Sequence, residues 1–584
     1  MSLFDSASLV VTPNGYKEDK LYSIKPTDGS GDLVVTRATT ATLVNSAGLI
    51  EPAPYNLLQR SQEFENAAWT KSNATITSNA IAAPDGTLTA DKLVGSATTS
   101  THIAIQTVSF PVNTVATYSI YAKAGELNFL YLGGLGRTPN ANEGYVFFNL
   151  SSGTVGVNDT GYSGTISSAG DGWYKLTVSA PLTTSSLSRE FRIGVANTNG
   201  LQSYTGNGID GVYIWGAQLV SGTSAKEYFP TTDRLDVPRL DYTNSTCPSI
   251  LVEPQRTNLA TYSEDFSNAS WNKVSSQTGT AIPIITANAT TAPNGTMTAD
   301  LVEFTPPTDT NYSIVQKTFT ITNLLSGTVY LKAFDESQVG KKVGVYIVKP
   351  GDVNGTVLTL TNEWQRVVIS RPAGTNIEFH FGKGRTNWTT GGIKQSESAS
   401  KFYAWGAQLE EGSNATSYIP TVASSVTRNA DVISKTGISS LIGQTEGTIF
   451  ADLNFKNSAS KTEVNRIIEL TDGTNTNRFI IAFGSTNAIL TRVTSSGSEQ
   501  ASFSASVSLG RLKIALSYSA SGVKLFVNGA LIQSNLSATI PSTSRINLGY
   551  QGTTSTQQLN DSINSAVIWK TKLTDAECIA LTTI

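Results

Sequence analysis

The chain is poor in the side chains that do most catalytic and metal chemistry: two cysteines, two histidines and two methionines in 584 residues. Cys247 and Cys578 lie far apart in sequence, which is no disulfide framework, and they read as free thiols. His102 and His380 sit in different parts of the chain, with no CxxC, HExxH or paired-histidine spacing, so no zinc site is expected. Any Ser-His-Asp or Cys-His nucleophile would have to use one of those two histidines. Charge is scarce as well, 15% of residues against about 25% in an average soluble protein. With 41 basic and 44 acidic residues the net charge is −3. That leaves no basic field to hold a polyphosphate and argues against nucleic-acid binding. No run approaches the ~20 apolar residues of a membrane helix. The start, MSLFDSASLVVTPNG, has no basic stretch, carries Asp5 ahead of a short apolar run and meets Pro13, so no secretory signal is read. A surface-type composition without an export signal is reconciled by a protein released through cell lysis. Two glycine-rich runs, GGLGRT at Gly133 and GKGRT at Gly382, lack the GxxxxGK[ST] form and read as β-turns.

What the chain does have is an internal repeat. NLLQRSQEFENAAWTK begins at Asn56 and NLATYSEDFSNASWNK at Asn258, with Phe64/Trp69 matching Phe266/Trp271. APDGTLTADKLV from Ala83 matches APNGTMTADLV from Ala292, and YAKA at Tyr121 matches YLKA at Tyr330. GDGWYKLTVSAP, with Trp173, answers TNEWQRVVISRP, with Trp364. Both copies close alike, on WGAQLVSGTSAKEYFP with Trp215 and WGAQLEEGSNATSYIP with Trp405. Five blocks in one order at a spacing of roughly 190 to 210 residues make each copy a domain rather than a solenoid unit.

Each copy reads as β. Short alternating segments such as TYSIYAK and YKLTVSA are separated by Gly, Asn, Asp and Ser clusters, the pattern of a sandwich or jelly roll. The expected fold class is therefore all-β, with tandem β-sandwich or jelly-roll domains. The boundaries are an N-terminal segment 1–54, module one 55–232, a linker 233–256, module two 257–422, a linker 423–440 and a C-terminal domain 441–584. Glu51-Pro52 and Glu253-Pro254 read as rigid, extended linker positions. In the last domain Asn528-Gly529 signals a hairpin, and the tail LTDAECIALTT reads helical with Thr574 as N-cap and Glu577 completing a capping box.

KLFVNGALI, INLGY and INSAVIWKTKLTDAE make the C-terminal region resemble a laminin-G or concanavalin A-like lectin sandwich. The opening and closing blocks of the two copies resemble jelly-roll carbohydrate-binding modules of tailed-bacteriophage virion proteins. The N-terminal stretch, with SLVVTPNGYKEDKLYSIKP and VTRATTATLVNSAGLIE, is similar to the attachment region of head or tail fibre proteins in crAss-like phages. The resemblance implies a virion location, contact with other virion proteins through the N-terminal segment, binding of host-surface or mucus glycans, and a homo-oligomer, with a trimer preferred to a dimer. Module resemblance bears on fold more firmly than on ligand.

A sugar offers an apolar C–H face and a hydroxyl rim, so a glycan site needs an accessible aromatic beside Asn, Asp, Gln or Arg. The tryptophans shared by the copies lie on strand-like segments and are assigned to packing. The candidates are loop residues before the closing strand: Tyr204 and Trp388 as platforms, with Asn207, Arg385 and Asn387 as rim donors. Arg137 to Tyr145 is a weaker aromatic-ended loop. No cofactor, catalytic residue or metal ligand is assigned. Asp85 in APDGT suggests calcium, but Asn294 replaces it in the second copy and a turn explains both. No Glu-x-Asp-x-x-Glu run of the glucanase type follows Leu441, and the expectation is that the protein is not an enzyme. Two other readings stand beside this one: an architectural virion decoration protein without sugar binding, and the accessory glycan-binding part of a bacterial polysaccharide-degrading enzyme.

Overall fold

The computed structural model describes residues 3–109, 114–134, 144–182, 188–243, 245–277, 281–321, 323–349, 351–371, 374–388, 390–455, 465–484, 487–552 and 557–584. The fold is all-β. Antiparallel strands dominate, and Asp575–Thr582 is the one α-helix among the described residues. Two compact units are present: residues 53–234 with 290–298, and residues 1–52, 235–289 and 299–584.

The unit around the first sequence copy is a two-sheet sandwich. One sheet runs Ser163–Gly170, Trp173–Leu182, Thr114–Ala124, Gly211–Ser221, Ala90–Gly95, Ala74–Ile81. The other runs Thr154–Asn158, Tyr145–Asn149, Phe129–Gly133, Ser188–Ala196, Thr99–Ser109, Ser203–Thr205, and Thr70–Ser72 pairs with Thr99–Ser109. Strand alternation builds the core. Ala116, Tyr118, Ile120 and Ala122 project from one sheet against Leu130, Leu132, Phe191, Ile193 and Val195 of the other.

The second copy keeps that order. Gln365–Arg371, Leu325–Ala333, Lys401–Glu411, Ala299–Glu303 and Ile284–Thr290 form one sheet. Asp352–Thr359, Lys342–Lys349, Gly374–Lys383, Ser313–Ile321 and Asn272–Ser275 form the other. Among the described residues, no strands equivalent to Ser163–Gly170, Thr154–Asn158 and Ser203–Thr205 occur in these two sheets.

The recurring blocks are hydrogen-bonded to one another. Asn258 Nδ2 donates to the carbonyls of Ala407 and Ile419, and its Oδ1 accepts from the amides of Ala260 and Leu409. Asn56 makes the matching set with Ala217, Phe229, Leu58 and Leu219. Each opening Asn thus ties its own segment to the closing WGAQL strand and to the residue before the final proline. Trp69 and Trp271, each 1% exposed, donate Nε1 to the carbonyls of Arg60 and Tyr262. Asp91 accepts the amides of Phe64 and Asn79, and Asp300 those of Phe266 and Asn288. Burial lifts Asp91 to about 6 and Asp300 to about 7, against the pull of those amide donors.

Ala41–Val44 with Ile50–Ala53 and Arg256–Asn258 with Val426–Arg428 form separate two-stranded sheets, while most of the remaining strands make one continuous antiparallel path. It runs Ser498–Ser506, Ala488–Ser495, Arg478–Phe483, Asn465–Thr471, Arg545–Leu548, Val432–Thr436, Leu33–Thr36, Lys20–Lys25, Leu9–Lys17, Asp561–Trp569, Glu446–Phe455, Gly510–Ser519, Gly522–Val527, Ala530–Ser534. Its two halves share one core, where Phe479 meets Tyr518 and Phe455 stacks on Phe483, both pairs with ring centroids 4.3 Å apart. The first residues of the chain are interior strands of this sheet: Leu9 pairs with Ile568, and Val34 with Ser434. The stretch between the copies joins as well, with Ile250 opposite Ile563.

A buried ionic cluster lies where these distant segments meet. Arg37 Nη1 is 2.7 Å from Asp431 Oδ1, and Arg239 Nη1 is 2.7 Å from Glu253 Oε2. Arg239 also pairs with Asp431, and Arg428 with Glu253. Burial alone would raise both carboxyls. The guanidiniums of Arg428 and Arg239 instead hold Glu253 far below the usual range, and those of Arg239, Arg37 and Arg428 hold Asp431 down. Glu253, expected as an extended linker position, is therefore a 4% exposed ion-pair partner.

Candidate functional site

In the second module Gly374–Lys383 ends at a turn that carries Arg385, Asn387 and Trp388. Lys383, 0% exposed, anchors it by donating Nζ to the carbonyls of Thr308, Asn311 and Gly384. Burial drops that ammonium to about 8, with nearby Asp309 opposing the shift. The Thr386 amide donates to Asp309 O, and the Gln395 amide to Asp309 Oδ1, so both sides of the turn are tied to one residue.

Trp388 is half-buried and its ring is fixed from two sides. Buried Tyr346 meets it edge-on at 4.8 Å and 81°, and Tyr312 lies 5.9 Å away at 31°. The Tyr346 hydroxyl donates to Gly391 O and accepts from the Gly384 amide, which locks the prop. Only a glycine fits at 384, since a methyl there would sit 2.6 Å from the indole. The Arg385 guanidinium lies 5.0 Å over the Tyr312 ring, and its Nε has no hydrogen-bond partner. Asn387 is exposed on the same turn. Three of the residues singled out in the sequence thus share one ledge: a rigid half-open indole flanked by a guanidinium and an amide.

The equivalent region of the first module is different. Tyr204 was expected to stand on a loop, but it is the middle residue of the strand Ser203–Thr205, opposite Ser100. Alternation turns Ser203 and Thr205 outward and the tyrosine inward. Its ring packs edge-on against His102 at 4.5 Å and belongs to the core, at 7% exposure. It offers no open face, and its role as a platform is corrected to packing. The physical reason is the extra strand, which has no counterpart among the described residues of the second module. Asn207 is exposed, but its Oδ1 accepts the amides of Ile209 and Asp210 and so is committed to closing a turn. In the loop Arg137 to Tyr145, residues 137–143 lie outside the described residues; Tyr145 is buried.

The other chemistry-bearing residues have local roles. His102 is enclosed between the carbonyls of Asn73 and Tyr204. His380 pairs through Nε2 with Glu378 while Nδ1 has no partner, and burial lowers its pKa. Asp85 and Asn294 make the same turn, each accepting from the amide and hydroxyl of the Thr two residues on. No group of three or more His, Cys, Asp or Glu side chains with metal-binding geometry occurs among the described residues.

One feature escaped sequence reasoning. A cavity of about 250 Å³ opens on the C-terminal sheet, lined by Arg466, Arg478 and Arg492 together with Ile480, Leu490 and Gln557 among others. The signal was present as Arg478-x-Ile480 and Leu490-x-Arg492, a period of two that sets each pair on one face. Scattered arginines on strands read equally well as a solvated surface.

No family model and no curated protein matches the chain. Solved structures similar to part of it include the CBM40 of a Ruminococcus gnavus IT-sialidase bound to alpha2,3 sialyllactose, with 17% identity over 26% of this chain and 91% of that one, at a TM-score of 0.22. The NanB sialidase from Streptococcus pneumoniae is similar at 16% identity over 25% of this chain and 26% of that one, with a TM-score of 0.22. The botulinum neurotoxin type G receptor binding domain is similar at 14% identity over 26% of this chain and 38% of that one, with a TM-score of 0.20. At these scores the likenesses carry no functional weight.

Proposed function

We propose that the chain is a non-catalytic glycan-binding protein whose second module contacts sugar through the Trp388 ledge, and that it serves as a fibre subunit of a virion. The observation that supports binding is the half-open indole of Trp388, braced by Tyr346 and Tyr312 beside Arg385 and Asn387. A braced ring loses little side-chain entropy on stacking, and the exposed Asn387 suits a hydroxyl rim. Both histidines are enclosed in a sheet and held by neighbours, which argues against a histidine-activated nucleophile. The virion setting, attachment through the N-terminal residues and the trimer rest on the sequence resemblance.

A glycan array tests the reading. The unaltered chain retains a defined set of glycans, and Trp388→Ala weakens the retained set by about tenfold, or about 1.4 kcal/mol. Equal retention by both proteins would remove the ledge from the account.

A further inference from the structure

The arginine cavity lies on the sheet face turned away from the core. Arg466 pairs across the strands with Ala482 and Ala482 with Leu490, while Ile480 pairs with Arg492 and Arg492 with Ser502, so these side chains share one face. Phe479, Ile481, Phe483, Ile489 and Val493 occupy the other face and fill the core. A core-packed sheet thus carries cationic side chains at fixed register on its outer surface.

Among the described residues the charges there are balanced only in part, with two carboxylates facing three guanidiniums. No carboxylate among the described residues lines the cavity. Beneath it Glu469 spends Oε2 on Asn547 Nδ2 and the Gly552 amide. Its Oε1 stands 4.0 Å from Arg466 Nε and 3.9 Å from Arg478 Nη1, so one carboxylate is shared by two guanidiniums at more than hydrogen-bond length. Arg492 pairs with Glu499 at the open rim, both about half exposed. Arg466 Nε, Arg478 Nε and Gln557 Oε1 are buried without a hydrogen-bond partner, although the Arg466 side chain is only 7% exposed. Such groups are costly unless something completes them. Burial depresses Arg466 to about 10, with Glu469 opposing and Arg478 and Arg492 adding to the effect, so a bound anion would relieve the crowding.

We infer that this cavity is a binding site for a carboxylate-bearing sugar unit, with Arg466 and Arg478 taking the carboxylate. Planar guanidiniums present paired N–H donors matched to a carboxylate. Ile480 and Leu490 supply an apolar patch for a ring face, and Gln557 and Ser502 are placed for hydroxyls. A volume of about 250 Å³ is below the range for drug-sized ligands and suits a single sugar unit. The site uses none of the residues of the Trp388 ledge and stands or falls independently of it.

Isothermal titration of the full chain with galacturonate, galactose and inorganic sulfate tests the inference, since the two sugars differ only in carboxylate against hydroxymethyl. Galacturonate is expected to bind at least tenfold more tightly than either galactose or sulfate, and to weaken as NaCl is raised. Arg478→Gln is expected to cost at least tenfold in galacturonate affinity. Should that variant fold poorly, Ser502→Glu, at an exposed strand position opposite Arg492, places a competing carboxylate at the rim and is expected to cost as much with an unchanged melting temperature. Galacturonate binding no better than galactose would overturn the site. Binding equal to sulfate would overturn its sugar specificity. Galacturonate affinity unchanged in both variants would overturn its location.

Discussion

Asp300 accepts two backbone amides in a buried position, and burial raises its pKa to about 7. The folded chain therefore holds a proton on this group between about pH 4 and about pH 7 that the unfolded chain releases. Stability contributed by the group falls as pH rises through that window. Melting temperature measured from pH 5 to pH 8 should decline, and Asp300→Asn should reduce the slope; an unchanged slope would show that the carboxyl is already ionised in the fold. Single side chains were the least legible scale in the sequence. Tyr204 and Trp388 sit at matching places in the repeat, each among Gly, Asn and Thr, yet one enters the core and the other stays half-open. The difference is a three-residue strand, Ser203–Thr205, formed in the first module and without a counterpart among the described residues of the second. Pairing of so short a piece depends on the edge it meets rather than on its own composition.

At the scale of elements the sequence was informative, because turn and cap chemistry is local. Asn528 and Gly529 take φ values of 47° and 81° between Gly522–Val527 and Ala530–Ser534, as their pairing signals. Thr574 and Glu577 complete the capping box of the terminal helix. The repeated blocks were legible as blocks, but their reason was not: opening and closing segments separated by about 150 residues meet through one asparagine. Asn258→Ala removes four buried hydrogen bonds and leaves backbone groups unpaired, at a cost of about 2–4 kcal/mol. Urea unfolding should show that loss, and a midpoint shift corresponding to less than about 0.5 kcal/mol would mean the clasp is not a determinant of the fold.

At the scale of the whole chain, composition pointed to the all-β class through sparse charge and regular short alternating segments. What it could not show was that residues near 9, 34, 250 and 433 share one sheet, since pairings of such separation leave no periodic trace. The ionic cluster marks that convergence. Asp431→Asn leaves Arg37 and Arg239 facing each other with one charge partner fewer and should cost about 3–5 kcal/mol at neutral pH. Because the pKa of Asp431 is depressed in the fold, its contribution is present above the unfolded value of about 4 and is lost as pH falls through the lower folded value. Acid titration of both proteins should narrow the gap between their stabilities as pH falls below about 4; a gap that stays constant through the acid range would contradict the ion-pair account.

The most direct test of the central claim is the glycan array with Trp388→Ala beside the unaltered chain, followed by mass spectrometry of the array sugars. The account predicts glycans retained by the unaltered protein, weakened retention by the variant, and every glycan recovered at its starting mass. A protein that retains no glycan, or that returns shortened sugars, would contradict it.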